Sequence, residues 1–251
     1  MITKIVLLCM AGFLASFVDS IAGGGGLISV PAFMLAGLPP HMVLGTNKFS
    51  ATAGSFTSSL GFIKSGKAEF KLLKYLIPFT FIGSMLGVKA VLNIDQKFLN
   101  TLVLILIMFI GIYTLFSKSL GLQDKFKGLT KKNVIYGIML ALSLGFYDGF
   151  FGPGTGSFLV FGFINIFGFN FVASSANARI LNFVSNVTAL ILFALSGKIN
   201  YMFGIPVAVF MILGAKMGTS VALKKGSKLI KPIFVTMSLA VALKMLINIL
   251  Q

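Results

Sequence analysis

The ionisable side chains that lie inside apolar stretches of this chain are the first candidates for chemistry. A charge in the hydrocarbon core of a membrane costs at least about 2.5 kcal/mol, and it usually marks a transport pathway or an internal ion pair. Four of these residues are related by an internal repeat, since Asp19 matches Asp148 and Lys48 matches Arg179, so each half contributes one acid and one base. The complete set is Asp19, Lys48, Asp148, Arg179, Lys216 and Lys244.

Each of the two repeated acids begins a glycine-rich element. The first copy reads Asp-Ser-Ile-Ala-Gly-Gly-Gly-Gly-Leu over residues 19–27, and the second reads Asp-Gly-Phe-Phe-Gly-Pro-Gly-Thr-Gly over residues 148–156. Glycine costs a helix interior about 1 kcal/mol relative to alanine, so both copies predict a helix break. A helix that restarts at Leu27 or Gly156 presents free N–H groups and the positive end of its dipole, which suits an anion. Close helix packing by small residues is the alternative, but a break at the same place in both copies favours a site.

A polar stripe on one helical face accompanies each of the two repeated bases. Two facing stripes with one cation each predict a polar cavity near the middle of the membrane. The alternative is structural, with salt bridges from Asp19 to Lys48 and from Asp148 to Arg179, and both interpretations can hold together. The stripes are Lys48, Thr52, Ser55 and Ser59 in the first half and Arg179, Asn182 and Asn186 in the second.

We therefore predict one substrate site built from the two stripes and the two glycine elements. Asp19 and Asp148 are predicted to carry protons, or to release the cations when substrate arrives. Lys216 has no charged counterpart, because Met85 stands at the equivalent position; it either adds to the anion site or extends to a membrane interface. The predicted substrate-binding residues are Lys48, Arg179, Asn182, Asn186, Ser55, Thr52, Gly24, Gly25, Gly26, Gly154, Thr155 and Gly156.

The composition places this site in a membrane protein. Hydrophobic residues make up 57% of the 251 residues and charged residues 10%, and apolar stretches of about 20 residues, enough to cross a bilayer, recur along the chain. The net charge of +16 does not indicate nucleic-acid binding, because the lysines concentrate between apolar runs, as in cytoplasmic loops. With a single cysteine, Cys9, and a single histidine, His41, we expect neither a metal site nor a cofactor.

The predicted fold is all-α and polytopic, with five membrane segments in each of two repeats. The first repeat, 1–117, holds segments 3–22, 27–44, 47–64, 71–92 and 98–117. A basic cytoplasmic linker, 118–132, joins it to the second repeat, 133–251, with segments 133–151, 156–172, 177–196, 200–222 and 230–250.

Because five is an odd number, the second repeat is expected to insert upside down relative to the first. Equivalent loops then face opposite sides of the membrane and should differ in lysine content. Residues 64–74 hold four lysines and their counterpart 197–200 holds one, whereas residues 89–97 hold two and their counterpart 222–232 holds four. These differences predict inverted repeats with both termini outside the cell.

The second segment of each repeat is the least certain part of this topology. Segments 27–44 and 156–172 are short and interrupted by glycine or proline. If they did not cross, residues 222–232 would fall outside, against the charge rule. We therefore expect crossing segments that are bent and buried behind other helices, and whether they cross fully is left open.

The motifs that carry the site also resemble a known family. They read Val-Asp-Ser-Ile-Ala-Gly-Gly-Gly-Gly-Leu-Ile-Ser-Val-Pro over 18–31, Leu-Gly-Thr-Asn-Lys-Phe over 44–49, Tyr-Asp-Gly-Phe-Phe-Gly-Pro-Gly-Thr-Gly-Ser over 147–157, Arg-Ile-Leu-Asn-Phe-Val-Ser-Asn over 179–186 and Gly-Ala-Lys-Met-Gly over 214–218. Across both halves the chain resembles the TauE/SafE sulfite exporter family, or 4-toluenesulfonate uptake permease group. The resemblance is to a subgroup with an aspartate before each glycine motif. Many relatives have an unbroken glycine run where this chain has Gly-Pro-Gly-Thr-Gly, which leaves open whether the two half-sites are equivalent.

The resemblance implies an inner-membrane bacterial permease for sulfur-containing oxyanions or sulfonates, driven by an ion gradient. The paired intramembrane acids make the proton the first choice of coupling ion. A passive anion channel is one alternative, but it leaves the acids without a role. An intramembrane enzyme is another, and it needs an acid cluster or a nucleophile–base pair. The expected partners are a small anion, a coupling ion and the bilayer, without nucleic acid; the oligomeric state is open, a homodimer being common at this size.

Overall fold

The computed structural model describes residues 2–99, 101–103, 105–106 and 124–225. These residues form helices and connecting turns without a strand, which confirms the all-α prediction. The predicted segments 98–117 and 230–250, with Lys244, lie largely or wholly outside the described residues. Eight helices lie complete within the described ranges: α1 (Ile2–Ala22), α2 (Gly26–Leu35), α3 (Pro40–Lys64), α4 (Phe70–Leu92), α5 (Lys131–Phe150), α6 (Thr155–Phe167), α7 (Phe171–Leu195) and α8 (Tyr201–Lys225).

Both predicted helix breaks are present. After α1 the chain turns at Gly23, with φ of +80°, and after α5 it turns at Gly152, with φ of +100°. Glycine adopts this left-handed region without the steric penalty that a Cβ atom would bring. The next helices begin at Gly26 and at Thr155, each within one residue of the predicted start.

The two helices that follow the breaks are too short to cross a membrane. At 1.5 Å per residue, the 10 residues of α2 extend about 15 Å and the 13 residues of α6 about 20 Å, whereas the hydrocarbon core is about 30 Å thick. Five other helices, α1, α4, α5, α7 and α8, are long and apolar enough to cross. The 25-residue helix α3 has the length but is more polar, because it carries the first polar stripe.

The predicted boundaries of segments 27–44 and 156–172 are therefore wrong. Helix α3 begins at Pro40, which suits the first helical turn because proline has no N–H to leave unpaired there. Helix α7 begins after Asn170, whose side chain accepts a hydrogen bond from the backbone N–H of Ala173. Because both helices begin earlier than predicted, Lys48 and Arg179 lie two turns inside them and not at their starts.

Contacts at the helix termini define two ends of the molecule. At the first end Lys4 Nζ donates to the Ala36 carbonyl (3.2 Å), which joins the start of α1 to the end of α2. His41 Nε2 lies 3.0 Å from the Val91 carbonyl oxygen, which joins the start of α3 to the end of α4. At the second end Lys125 N–H donates to the Gly168 carbonyl (2.8 Å), next to the start of α5 and the end of α6. The pairs α1–α2 and α5–α6 are thus hairpins that begin and finish at the same end.

These hairpins change the argument about crossing. The expectation that 27–44 and 156–172 must cross to keep residues 222–232 beside the linker assumed that the preceding helix crosses without a return. A hairpin removes that requirement, and the crossing of these segments stays a prediction. A hairpin has no net crossing, so α7 and α8 together bring the chain back to the second end. Thr219 of α8 contacts Ser58 of α3 there, with Thr219 Oγ1 donating to Ser58 Oγ over 2.9 Å.

Glycines allow each half to pack tightly on the other. A Cβ atom at Gly87 of α4 would lie 2.1 Å from the Phe146 carbonyl oxygen of α5, and one at Gly214 of α8 would lie 2.2 Å from the Phe13 carbonyl oxygen of α1. Gly83 and Gly87, like Gly214 and Gly218, are spaced four residues apart on one helical face, and this spacing of small residues is typical of closely packed membrane helices. Helix α5, which ends at the second break, therefore packs on α4 of the first half, and helix α1, which ends at the first break, packs on α8 of the second half.

Replacing Gly87 with alanine is expected to lower the melting temperature of the purified protein markedly. The new methyl group would meet a backbone oxygen that cannot move without shifting α5, and such overpacking costs about 1–3 kcal/mol or more. The matched control is Gly162→Ala, whose Cβ would meet only the flexible end of the Leu140 side chain, at 2.4 Å. Equal melting temperatures for the two variants would contradict this account of the α4–α5 interface.

Candidate functional site

A polar cavity lies where the two helix breaks meet. Its empty volume is about 480 Å³, part of it open to solvent. Most of the predicted site residues line it, and they come from both halves of the chain. The predicted residues in its wall are Asp19, Gly24, Gly25, Gly26, Lys48, Ser55, Asp148, Gly154, Gly156, Asn182 and Asn186.

Four predicted residues lie outside the cavity wall. Thr52 Oγ1 donates to the Lys48 carbonyl and Thr155 Oγ1 to the Gly152 carbonyl, each over 2.7 Å, so both hydroxyls serve their own backbone. Arg179 is buried behind Gly156. Lys216 lies on the exposed side of α8, away from the cavity, so its predicted addition to the anion site finds no support in this geometry.

Other polar residues of the site were not predicted from sequence. Ser29 and Asn47 line the cavity and are joined by a hydrogen bond from Ser29 Oγ to Asn47 Oδ1 (2.6 Å). Ser16 and Gly152 also line it. A search for polar residues at equivalent positions of the two halves misses Asn47, because Ala178 stands at the equivalent position of the second half. The signal that could have identified Asn47 is its place directly before Lys48.

The two intramembrane bases pair with acids of the opposite half. Lys48 Nζ lies 2.8 Å from Asp148 Oδ1, and Arg179 Nη1 lies 2.5 Å from Asp19 Oδ2. The pairs predicted within each half, Asp19–Lys48 and Asp148–Arg179, are therefore wrong. The physical reason is the interlocked packing, because the two glycine breaks lie against each other: a Cβ atom at Gly23 would lie 2.2 Å from the Ser157 backbone nitrogen, and one at Gly26 would lie 2.9 Å from Pro153 Cα.

The Lys48–Asp148 pair is enclosed and fully hydrogen-bonded. The two side chains are 3% and 2% exposed. Asp148 also accepts hydrogen bonds from Ser185 Oγ and from Asn182 Nδ2 (3.5 Å), and Lys48 donates to Asn186 Oδ1 (3.0 Å). Such partners offset the cost of removing two charges from water.

The Arg179–Asp19 pair is less enclosed on its acidic side. Asp19 is 26% exposed, and its other hydrogen bond comes from the backbone N–H of Gly25 (3.1 Å). Arg179 is 1% exposed, and its Nε and Nη2 atoms have no hydrogen-bond partner within residues 2–99, 101–103, 105–106 and 124–225. A Cβ atom at Gly156 would lie 2.1 Å from Nη2, so the guanidinium rests against the first turn of α6.

Backbone N–H groups at both breaks are available to a ligand. In the described part of the chain, the N–H groups of Gly24, Gly154 and Gly156 donate to no protein acceptor. All three residues line the cavity at the starts of α2 and α6, where the helix dipoles are positive. The formal charges of the two ion pairs cancel, so the site can hold an anion at little electrostatic cost once a carboxylate is neutralised. The described residues contain no group of three or more His, Cys, Asp or Glu that could hold a metal.

Comparisons with known proteins relate this chain to membrane transporters. The family model described as Sulfite exporter TauE/SafE matches residues 8–245. A "Probable membrane transporter protein" of Haemophilus influenzae is 40% identical over 240 residues, covering 96% of this chain and 93% of the relative. "Probable membrane transporter protein YfcA" of Escherichia coli K12 is 40% identical over 243 residues, with coverage of 95% and 88%. "Probable membrane transporter protein YunE" of Bacillus subtilis is 25% identical over 255 residues, with coverage of 90% and 91%. No solved structure matches the chain.

Proposed function

Because the chain belongs to the TauE/SafE sulfite exporter family and is a membrane transporter, we propose that it carries a small sulfur-containing oxyanion or organosulfonate across the bacterial inner membrane, coupled to protons. The observation that carries the proposal is the meeting of two helix starts at one polar cavity. Free glycine N–H groups and Lys48 line this cavity, and the guanidinium of Arg179 lies directly behind Gly156 of its wall, which is the chemistry that a small anion requires.

Charge balance supports the coupling to protons. The cavity region holds two bases and two acids, so it is neutral when empty. An anion that enters alone leaves an uncompensated charge at membrane depth, which is costly. An anion that enters with a proton on Asp19 or Asp148 leaves the site neutral. One proton for each negative charge is therefore the favoured stoichiometry.

The distribution of lysines supports an orientation in the membrane. The first end carries Lys4, Lys89, Lys97 and Lys198, whereas the second end carries Lys64, Lys67, Lys71, Lys74, Lys125, Lys127, Lys131, Lys132 and Lys224. Cytoplasmic surfaces of membrane proteins are enriched in lysine and arginine. We propose that the second end and the linker are cytoplasmic, that the amino terminus is outside and that the two halves are inverted repeats. The hairpins α1–α2 and α5–α6, which open toward opposite ends, support this topology.

Thermal unfolding of the detergent-purified protein against a panel of anions tests the substrate class. The panel contains sulfite, thiosulfate, sulfate, methanesulfonate, taurine, toluenesulfonate, phosphate and acetate. A bound anion at about one hundred times its dissociation constant should stabilise the protein by about 2.7 kcal/mol. We expect sulfur oxyanions or sulfonates to raise the melting temperature selectively.

The control for this experiment is Lys216→Gln, which removes a positive charge away from the cavity. It should show the same selective shifts as the unaltered protein. Uptake of the stabilising anion into proteoliposomes should then increase when an inward proton gradient is imposed. If no anion of the panel stabilised the protein, the proposed substrate class would be contradicted. If the rate of uptake did not change with the proton gradient, the proposed coupling to protons would be contradicted.

A further inference from the structure

The two ion pairs differ in a way that assigns them different roles. We infer that one proton on Asp19 frees Arg179, whose Nε and Nη2 atoms then bind two oxygens of a single substrate group. The Lys48–Asp148 pair stays closed during this step and holds the two halves together. This inference rests on the proposed function and identifies Arg179 as the residue that binds the anion within the same site.

The acid that takes the proton is distinguished by its access to water. Asp19 is 26% exposed and lines the cavity, so a proton reaches it without any unpacking of the helices. Asp148 is 2% exposed, and three side-chain donors already contact its oxygens: Lys48, Ser185 and Asn182. Protonation of Asp148 would break this network, whereas protonation of Asp19 loosens a single contact with Arg179.

The base that binds the anion is distinguished by its unused donors. Arg179 is 1% exposed, yet Nε and Nη2 have no partner among the described residues. A buried donor without an acceptor is costly and uncommon in native proteins, so each case requires an explanation. Nε and Nη2 form one edge of the guanidinium, and such an edge matches two oxygens of one oxyanion. Lys48, by contrast, already donates to Asn186 and pairs with Asp148.

The start of helix α6 completes the proposed ligand set. Nη2 lies against Gly156, and the free N–H groups of Gly154 and Gly156 are in the same turn. A methyl group at Gly156 would collide with Nη2, at 2.1 Å, so the absence of a side chain keeps this edge next to the helix start. The buried Nε–Nη2 edge, which has no acceptor among the described residues, is a second observation that points to an anion at this helix start, independent of the helix dipole.

The other charged groups near Asp19 leave this pairing undisturbed. Helices α2 and α6 contribute no titratable side chain, α3 contributes Lys48 and α5 contributes Asp148, and these two neutralise each other. Lys216 of α8 lies on the exposed side of its helix. A change in the charge of Asp19 therefore acts mainly on its electrostatic interaction with Arg179.

The inference also narrows the class of substrate. Two parallel hydrogen bonds from one guanidinium edge require two oxygens on one central atom, as in a sulfonate, a sulfite or a carboxylate. Chloride and thiocyanate each offer this edge a single acceptor atom, so both N–H groups must share that atom in bent hydrogen bonds. We expect both anions to bind at least about tenfold more weakly than a compact oxyanion of the same charge, because a bent hydrogen bond is weaker than a linear one.

Calorimetric titration with methanesulfonate and thiosulfate, neither of which titrates near neutral pH, tests the assignment. In the unaltered protein, one proton is taken up with each bound methanesulfonate. The dissociation constant of methanesulfonate should therefore rise about tenfold for each unit of pH once Asp19 is ionised. Asp19→Asn should bind tightly at every pH, with no such slope, because its side chain carries no charge. The double variant Lys48→Gln with Asp148→Asn, which removes both charges of the other pair together, should keep the slope.

Arg179→Lys provides a test that does not depend on either aspartate variant. Lysine keeps the charge and can still pair with Asp19, but it lacks the planar edge, so binding should weaken about 10- to 100-fold. Binding of chloride should be unaffected by this change.

The outcomes separate the inference from the function on which it rests. If neither methanesulfonate nor thiosulfate binds the unaltered protein, the proposed substrate class fails. If both bind but Arg179→Lys binds as tightly as the unaltered protein, or if the double variant Lys48→Gln with Asp148→Asn loses the pH dependence, the transporter proposal stands and the assignment of Arg179 and Asp19 is overturned.

Discussion

Asp148→Leu alone is expected to prevent recovery of folded protein, whereas the double variant Lys48→Met with Asp148→Leu is expected to fold. Removing one partner of a buried ion pair leaves an uncompensated charge and costs about 3–5 kcal/mol, whereas replacing both partners with apolar residues is often neutral or stabilising. Both side chains are nearly inaccessible to solvent, at 3% and 2%, so solvent screening does not reduce the penalty. The measurement is the yield of monodisperse protein in mild detergent, followed by its melting temperature.

A second double variant provides the control for this rescue. Lys48→Met combined with Asp19→Leu removes the pair expected within the first half and leaves both Asp148 and Arg179 without their partners. It should fold no better than the single variants. If it rescued folding and the cross-half double variant did not, the pairing seen in the structure would be wrong. Neutralising Lys48 or Arg179 singly is for the same reason a poor test of anion binding, because it also removes the partner of a carboxylate.

Gly23→Ala is expected to have the other large effect on stability. Gly23 turns the chain after α1 with φ of +80°, and a Cβ atom there would lie 2.2 Å from the Ser157 backbone nitrogen of α6. Two costs therefore add: the left-handed backbone of a residue with a side chain, about 1–2 kcal/mol, and a collision with a backbone that cannot yield. We expect a loss of several kcal/mol or a failure to fold, measured by chemical or thermal unfolding in detergent.

Gly37 provides the matched control, because an alanine there brings the backbone strain without the collision. Its φ is +91°, close to that of Gly23, but a Cβ atom there would meet nothing within 4 Å. Gly37→Ala should therefore show only the cost of the left-handed conformation. Similar losses for the two variants would mean that the close approach of the two helix breaks contributes little to stability.

The contact at Gly23 also bears on how the site is assembled. Ser157 Oγ of α6 donates to the Ala22 carbonyl at the end of α1 (3.1 Å), so the two breaks are joined directly. The cavity lies beside this contact, and each of its ion pairs links the two halves. A change in either ion pair is therefore positioned to alter the relative placement of the halves, which is the kind of motion that alternating access requires.

The sequence by itself determined the class of the protein and the composition of its site. Apolar stretches, lysine-rich loops and a repeated glycine motif predict a polytopic helical transporter, because length, hydropathy and helix breaking are local properties of the chain. The internal repeat identifies Asp19, Asp148, Lys48 and Arg179 as a related set. Eleven of the fourteen residues predicted for substrate binding or proton coupling line the cavity.

Only the tertiary structure decided which charge pairs with which and how far each short helix extends. A repeat shows that Lys48 and Arg179 are equivalent, but it cannot show whether each contacts the acid of its own half or of the other. That choice depends on ion pairs between residues 100 and 160 positions apart, made as α4 packs on α5 and α8 on α1. The same interlocked packing leaves Nε and Nη2 of Arg179 buried without partners in the described part of the chain, a feature that no local pattern of residues encodes.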